Sequence, residues 1–560
     1  MRLRHLLPVF AFLIATLSSG QAAQVQTGKP FSRTLKNAVG DLYAVVDGLL
    51  LDDKQALLYV EDGLVPKVVR LDAQLMPTDE LVLKAYAFDG LIWNGVAPIM
   101  VDGSMHCLLV SAGKKSAEYA IGKVGSRGAP TLSGLRKVAS SPILYSNSSV
   151  NTLPSRPQPD PILFTKGLAY AQQERIVPSA DGAHFLLNNY TVDAKGGKQF
   201  WFAYLDTDFK ELWSGVAMLP YEDVKSSIHQ ISIANDGTIH LLTYVFKCDS
   251  EGQVSDKMCH ELHLTTLTEQ GKTVKDILID KDFVSSARIC ERENGKLSMA
   301  VRYGSLTGQP GLLMTFDPLD PKIKATPMVD QRLASVRKTK LLAYGSIEPG
   351  AKKTTTAKTA KVPNEVVDLL PAWGGGLVLV ETFLETAYQI PMGEAIAMRR
   401  LCGDVRTTYV AANDSIQWQH IAERAFMTTA GQAYEGVDIH LTAEGLTLFY
   451  NHTPKGLDAI MTSGNAPEAE AADVEADKKE KKENKEKIKA PAEAGVMKAI
   501  TMDPRGSVLA EGTVLMHPDK FIPCPMPIIQ GAAGKIFLVK SYDRNTTYGF
   551  SFVDPSLAGK

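Results

Sequence analysis

Seven short hairpin signals pace almost the whole chain, each a run of β-forming residues that ends in a glycine turn and is followed at once by another such run. The turns are Asp102-Gly103, Asp181-Gly182, Asp236-Gly237, Asn294-Gly295, Gly374-Gly375-Gly376, Glu444-Gly445 and Ala533-Gly534, with a weaker eighth at Asp52-Asp53. Glycine beside Asp or Asn supplies the positive φ that a tight antiparallel connection needs. The spacing therefore describes one antiparallel module used again and again.

The repeat extends past the turns. Downstream of the hairpins comes a third apolar strand that tends to end in aspartate: Val68 to Asp72, Phe202 to Asp206, Leu313 to Asp317, Ala499 to Asp503 and Phe550 to Asp554, the last three followed by proline. An aspartate at a strand end accepts hydrogen bonds from backbone N–H groups two residues on, and proline fixes φ while removing a donor the ladder no longer needs. Four antiparallel strands per module, repeated every 40 to 60 residues or so, resemble the blades of a β-propeller. The resemblance covers nearly all of the chain but is to a superfold, and a superfold does not carry function. It implies an all-β fold, a closed β-propeller of eight blades, with seven the other count that the weakly patterned first two modules allow. The last module runs out after its third strand at Asp554, and a short β-like stretch near Phe31 to Val39 precedes the first. An N-terminal strand that completes the last blade would close the ring and remove its exposed edges.

Residues 1–23 have the pattern of a secretory signal. Arg2 and Arg4 form a basic start, Leu6 to Leu17 an apolar run, and Ser18 to Ala23 a small-residue cleavage region. The run is short for a bilayer span, and no other stretch is apolar enough to cross one. The expectation is an exported protein, periplasmic or extracellular, with residues 24–560 forming one propeller domain. Loop insertions are expected at about 140–160, 350–363 and 464–495, where Ser and Pro, then Lys, Thr and Ala, then Ala, Glu and Lys dominate. A net charge of −2 supplies no field for nucleic acid or an anionic membrane. A monomer is expected.

Of six cysteines, Cys248 and Cys259 flank a turn between two strands of one blade, so antiparallel pairing would bring them face to face as a disulfide. The pairing of Cys107, Cys290, Cys402 and Cys524 does not follow from the sequence.

Catalytic motifs are mostly rejected. His260-Glu261-Leu262-His263 has its histidines three apart on a strand, where they point to opposite faces, whereas the zinc-protease signature needs them four apart on a helix. No metal site and no cofactor is expected. A propeller works at one end of its central channel, which makes polar and aromatic residues of the inner strands the reasoned binding candidates: His229, Arg288, Trp373, Asp438 and His440. Trp201, Trp213 and Trp418 are expected between blades or over the ring surface. Two readings follow. One is a non-enzymatic binding or scaffold propeller that holds a protein or glycan; the alternative is a carbohydrate-active hydrolase or lyase with carboxylates at the channel mouth.

Overall fold

A computed structural model describes most of residues 24–557, leaving out 33–42, 142–175, 247–259, 304–310, 328–364, 430–435, 453–495 and gaps of one to five residues elsewhere. The leader, the Cys248–Cys259 pair, the Asp52-Asp53 and Ala533-Gly534 turns and nearly all of the expected loop insertions lie outside the described residues. Within them the chain forms eight antiparallel sheets of four or five strands. Seven of the sheets follow chain order from inner to outer strand, and together the eight form an eight-bladed β-propeller.

Closure follows the expected scheme with a shifted strand. Blade 8 consists of Ile522–Gln530, Phe537–Asp543 and Thr547–Val553, and its outer strand is Gln24–Thr27 from the start of the described chain. Thr27 lies opposite Ser551, and the two-residue strand Phe31–Ser32 pairs with the same neighbour, placing Phe31 opposite Tyr548. The closing strand thus begins seven residues before the stretch read from the sequence. This outer strand lies at the rim of the ring, where Gln26 is half-buried and Thr27 exposed, so a polar segment such as Gln-Val-Gln-Thr serves there.

The turns carry out the chemistry their residues imply. Asp102 and Gly103 both have positive φ, 48° and 64°, the conformation of a type I′ hairpin. At the ends of the third strands, the Oδ1 atoms of Asp72, Asp317, Asp503 and Asp554 accept the N–H two residues on, at 2.8 to 2.9 Å. Asp72, Asp206 and Asp503 also accept the N–H four residues on, at 2.8 to 2.9 Å, which fixes the turn into the outer strand.

Between the blades the apolar faces pack into eight buried clusters, one for each seam of the ring. Tyr119 of blade 2 stacks on Trp201 of blade 3 with ring centroids 5.3 Å apart, so Trp201 packs between blades as expected. Across the closing seam Tyr43, Val45 and Leu58 of blade 1 meet Tyr548, Phe550 and Phe552 of blade 8. A ring of this kind leaves no sheet face without a neighbour, because every blade buries both faces against the next.

Candidate functional site: the central channel

The inner strands line the channel and have no ladder partner on that side. Their unpaired backbone groups must therefore find other partners. Side chains supply many of them, and they do so across the seams. Gln230 of blade 4 donates Nε2–H to Ile289 O at 3.0 Å and accepts Ile289 N–H at 2.8 Å, reproducing with one side chain the two hydrogen bonds of a strand pair to blade 5. Ser286 of blade 5 does the same for Val366 of blade 6, at 3.2 and 3.0 Å. Lys198 Nζ donates to Ser226 O at 2.9 Å between blades 3 and 4, and Lys540 Nζ to Tyr43 O at 2.8 Å across the closing seam.

The sequence-derived candidates divide on this pattern. Arg288, on the inner strand Val284–Glu291, donates Nε–H to Val367 O of blade 6 at 3.2 Å and Nη1–H to Ala287 O at 2.9 Å and to His229 Nε2 at 2.7 Å. A guanidinium only donates, so it favours a neutral His229 ring. Burial, aided by the Arg288 charge, pushes the His229 pKa down to about 3. Asp438, on the inner strand Val437–Leu441, accepts the N–H of Ile439 at 2.8 Å through Oδ1 and that of Ile528 in blade 8 at 2.5 Å through Oδ2. His440 lies 3.7 Å from Asp438 but turns its ring toward Phe449 and Phe537 in the seam between blades 7 and 8. Trp373 does not join the group. It sits in the turn after the inner strand Glu365–Ala372, tilted against Tyr409, and its indole N–H reaches Thr442 O of blade 7 at 2.7 Å. Trp418 bridges the same blades through Pro504 O at 3.1 Å.

Two channel residues were missed from the sequence. Asp47, on the inner strand Tyr43–Leu50, and Asp368, on Glu365–Ala372, follow a β-bulge and each accept the N–H of the next residue, at 2.7 and 2.8 Å, as Asp438 does. The shared pattern of valine followed by aspartate in an apolar first strand, in Val46-Asp47, Val367-Asp368 and Val437-Asp438, was the available signal. Asp47 and Asp368 are half-buried. Desolvation, with a contribution from the charge of Asp438, pushes the Asp47 pKa up to about 6. The same two effects raise that of Asp368, against the opposing charge of Arg288. Aspartates from blades 1, 6 and 7 thus influence one another electrostatically, beside a cation from blade 5.

Behind the channel lies a second charged group. Glu381 on the second strand of blade 6 is wholly buried between Arg302 of blade 5, 2.5 Å away, and Arg406, 2.6 Å away. A Cβ at Gly311 would lie 2.4 Å from Arg302 Nη1, so a larger residue there would displace the guanidinium. Among the described residues no group of three or more His, Cys, Asp or Glu is arranged to hold a metal ion, and no helix is long and apolar enough to cross a membrane.

No protein-family model matches the chain, and a search of curated proteins finds no match. Solved structures resemble it distantly. Prolyl oligopeptidase B from Galerina marginata aligns with 90% of this chain at 10% identity and a TM-score of 0.36, and the chain spans 55% of that protein's length. The polysaccharide lyase Uly1 aligns over 96% of this chain and 99% of its own at 9% identity and a TM-score of 0.36. A protein of unknown function from Dyadobacter fermentans aligns over 77% of this chain and 94% of its own at 9% identity and a TM-score of 0.30. At these values the likenesses carry no argument about activity.

Proposed function

We propose that the chain is an exported, non-enzymatic binding or scaffold propeller of the cell envelope or extracellular space, which holds a protein or glycan on one face of the ring. The observation that supports this reading is the engagement of the channel's polar groups. Arg288, His229, Gln230, Ser286 and Asp438 are bound to backbone or to one another across seams, so they act in holding blades together rather than in turning over a substrate. A rigid ring held this way positions its inter-strand loops, which is where recognition residues concentrate in such scaffolds.

One observation favours the second reading. Burial, with a smaller contribution from the charge of Asp438, raises the Asp47 carboxyl to about 6, and a raised carboxyl paired with a second carboxyl group is the acid and base arrangement of carbohydrate cleavage. One experiment separates the two. Purified protein is incubated with neutral and uronic-acid polysaccharides while chain length and binding are followed together. The binding reading expects retention of a glycan, or of an envelope protein, without depolymerisation, and the same behaviour in Asp47→Asn, which keeps its acceptor for Gly48 N–H. Depolymerisation by the native chain that disappears in Asp47→Asn would overturn it.

A further inference from the structure

The tetrapeptide His260-Glu261-Leu262-His263, set aside as a zinc site, occupies the third strand of blade 4, His260–Thr268. Glu261 and His263 lie two apart and so share a face. His263 Nδ1 is 2.9 Å from Asp276 Oδ2 on the outer strand Thr273–Asp280, and its Nε2 is 3.2 Å from Glu261 Oε2. Ionised carboxylates only accept, so both contacts exist together only when the ring carries both protons. The cluster also crosses the seam. Tyr221, on the outer strand of blade 3, Glu211–Glu222, donates its hydroxyl to Asp276 and stands edge-on to the imidazole, with centroids 5.4 Å apart. Its oxygen lies 2.9 Å from that of Thr265, which donates to Asp276 Oδ1 at 3.0 Å.

The titratable groups that face the imidazole are therefore Glu261 from its own strand, Asp276 from the neighbouring strand and Tyr221 from blade 3. Burial opposes the charged ring, but the hydrogen bonds and charges of Asp276 and Glu261 outweigh it and hold the His263 pKa above its ordinary value. Burial likewise opposes ionised Asp276, and His263 and Tyr221 outweigh it in turn, holding that carboxyl below the usual range. The side chains of His263, Asp276 and Glu261 are 10%, 25% and 23% exposed, shielded yet within reach of solvent protons.

We propose that this cluster is a pH-operated latch on the outer strand of blade 4, closed by the imidazolium and released when His263 loses its second ring proton, and that blade 3 feels the release because Tyr221 is held by the same Asp276 carboxylate. The inference stands apart from the binding reading. The direction follows from linkage. A histidine raised in the folded state stabilises fully below its ordinary value of 6.5 and loses that contribution as pH rises through the higher folded value. Asp276, lowered, contributes above 3.8 and loses its share only as pH falls further. The latch is thus closed in mildly acidic to neutral solution and opens on the alkaline side. Opening loosens the two outer strands that carry exposed Val216, Met218, Val274 and Leu278.

Hydrogen exchange on the full chain tests this, with protection factors measured from about pH 5 to about pH 9 so that intrinsic exchange is divided out. Protection over residues 211–222 and 273–280 is expected to fall several-fold across the titration, while the strand 496–502 in blade 7 stays constant. His263→Gln should give a flat profile at the lower level. Glu261→Gln, which leaves the histidine in place, should move the midpoint to lower pH. A flat native profile, a His263→Gln profile that still follows the native one, or an unmoved Glu261→Gln midpoint would each overturn the latch. The Glu261→Gln result decides the matter if His263→Gln does not fold.

Discussion

Replacing Glu381 with glutamine is expected to remove about 3–5 kcal/mol of stability, the loss typical when one partner of a buried ion group is deleted. The carboxylate is wholly buried and neutralises two guanidiniums that are themselves 2% exposed. Glutamine keeps the shape but not the charge, leaving Arg302 and Arg406 facing each other in a medium that screens poorly. The damage should be greatest at the seam between blades 5 and 6, because the pair Arg302–Glu381 spans it. Denaturant unfolding of the native and variant chains measures the loss. A change under about 1 kcal/mol would mean that water reaches the group. Replacing all three with apolar residues of similar size should recover much of the stability, since the desolvation of three charges then disappears.

The opposite result is expected at Asp47. Its pKa rises from 3.8 to about 6 in the folded ring, so the folded state holds the proton longer than the unfolded chain does. Its contribution is then fully present below 3.8, declines as pH rises to about 6 and is absent above. An elevation of about two pH units corresponds to about 3 kcal/mol at neutral pH. Asp47→Asn retains the acceptor for Gly48 N–H and removes the charge that Asp438 opposes, so the variant should be more stable at pH 7 by up to that amount. The two proteins should converge below about pH 4. Unfolding free energies measured across that range check the sign. A variant less stable than the native chain at pH 7 would show that the Asp47 carboxylate is held by an attraction and not burdened by burial.

Much of the architecture was legible in the sequence because it rests on local rules. Asp72, Asp317, Asp503 and Asp554 make the turn hydrogen bonds that their place at strand ends implied, and these bonds depend on residues two to four positions away. The missing fourth strand after Asp554 likewise pointed to closure by the N-terminal segment, although the segment used, Gln24–Thr27, is too polar to stand out as a strand. The channel was less legible. Whether an inner-strand side chain faces the lumen or the next blade depends on bulges such as that between Val45 and Asp47, which a one-residue slip creates and no single residue marks. Trp373, read as an inner-strand residue, sits in the turn after that strand, and His440, on a strand with no bulge, turns its ring toward Phe449 and Phe537. The Arg302–Glu381–Arg406 group was hidden differently: Glu381 interrupts the apolar run Val378 to Phe383, but its partners come from 79 residues before and 25 after, distances at which spacing holds no signal.

The central claim is that eight blades close into a ring through the N-terminal strand. The pair Thr27→Cys and Ser551→Cys tests it most directly, because the two Cα atoms are cross-strand partners and the native hydroxyl oxygens lie 3.5 Å apart. Under mild oxidation the account predicts a bridge between these positions, recovered as one cross-linked peptide by non-reducing mapping, in a chain that unfolds later than its reduced form because the two ends of the ring are joined. Recovery of both engineered thiols free in folded protein would contradict the closed ring.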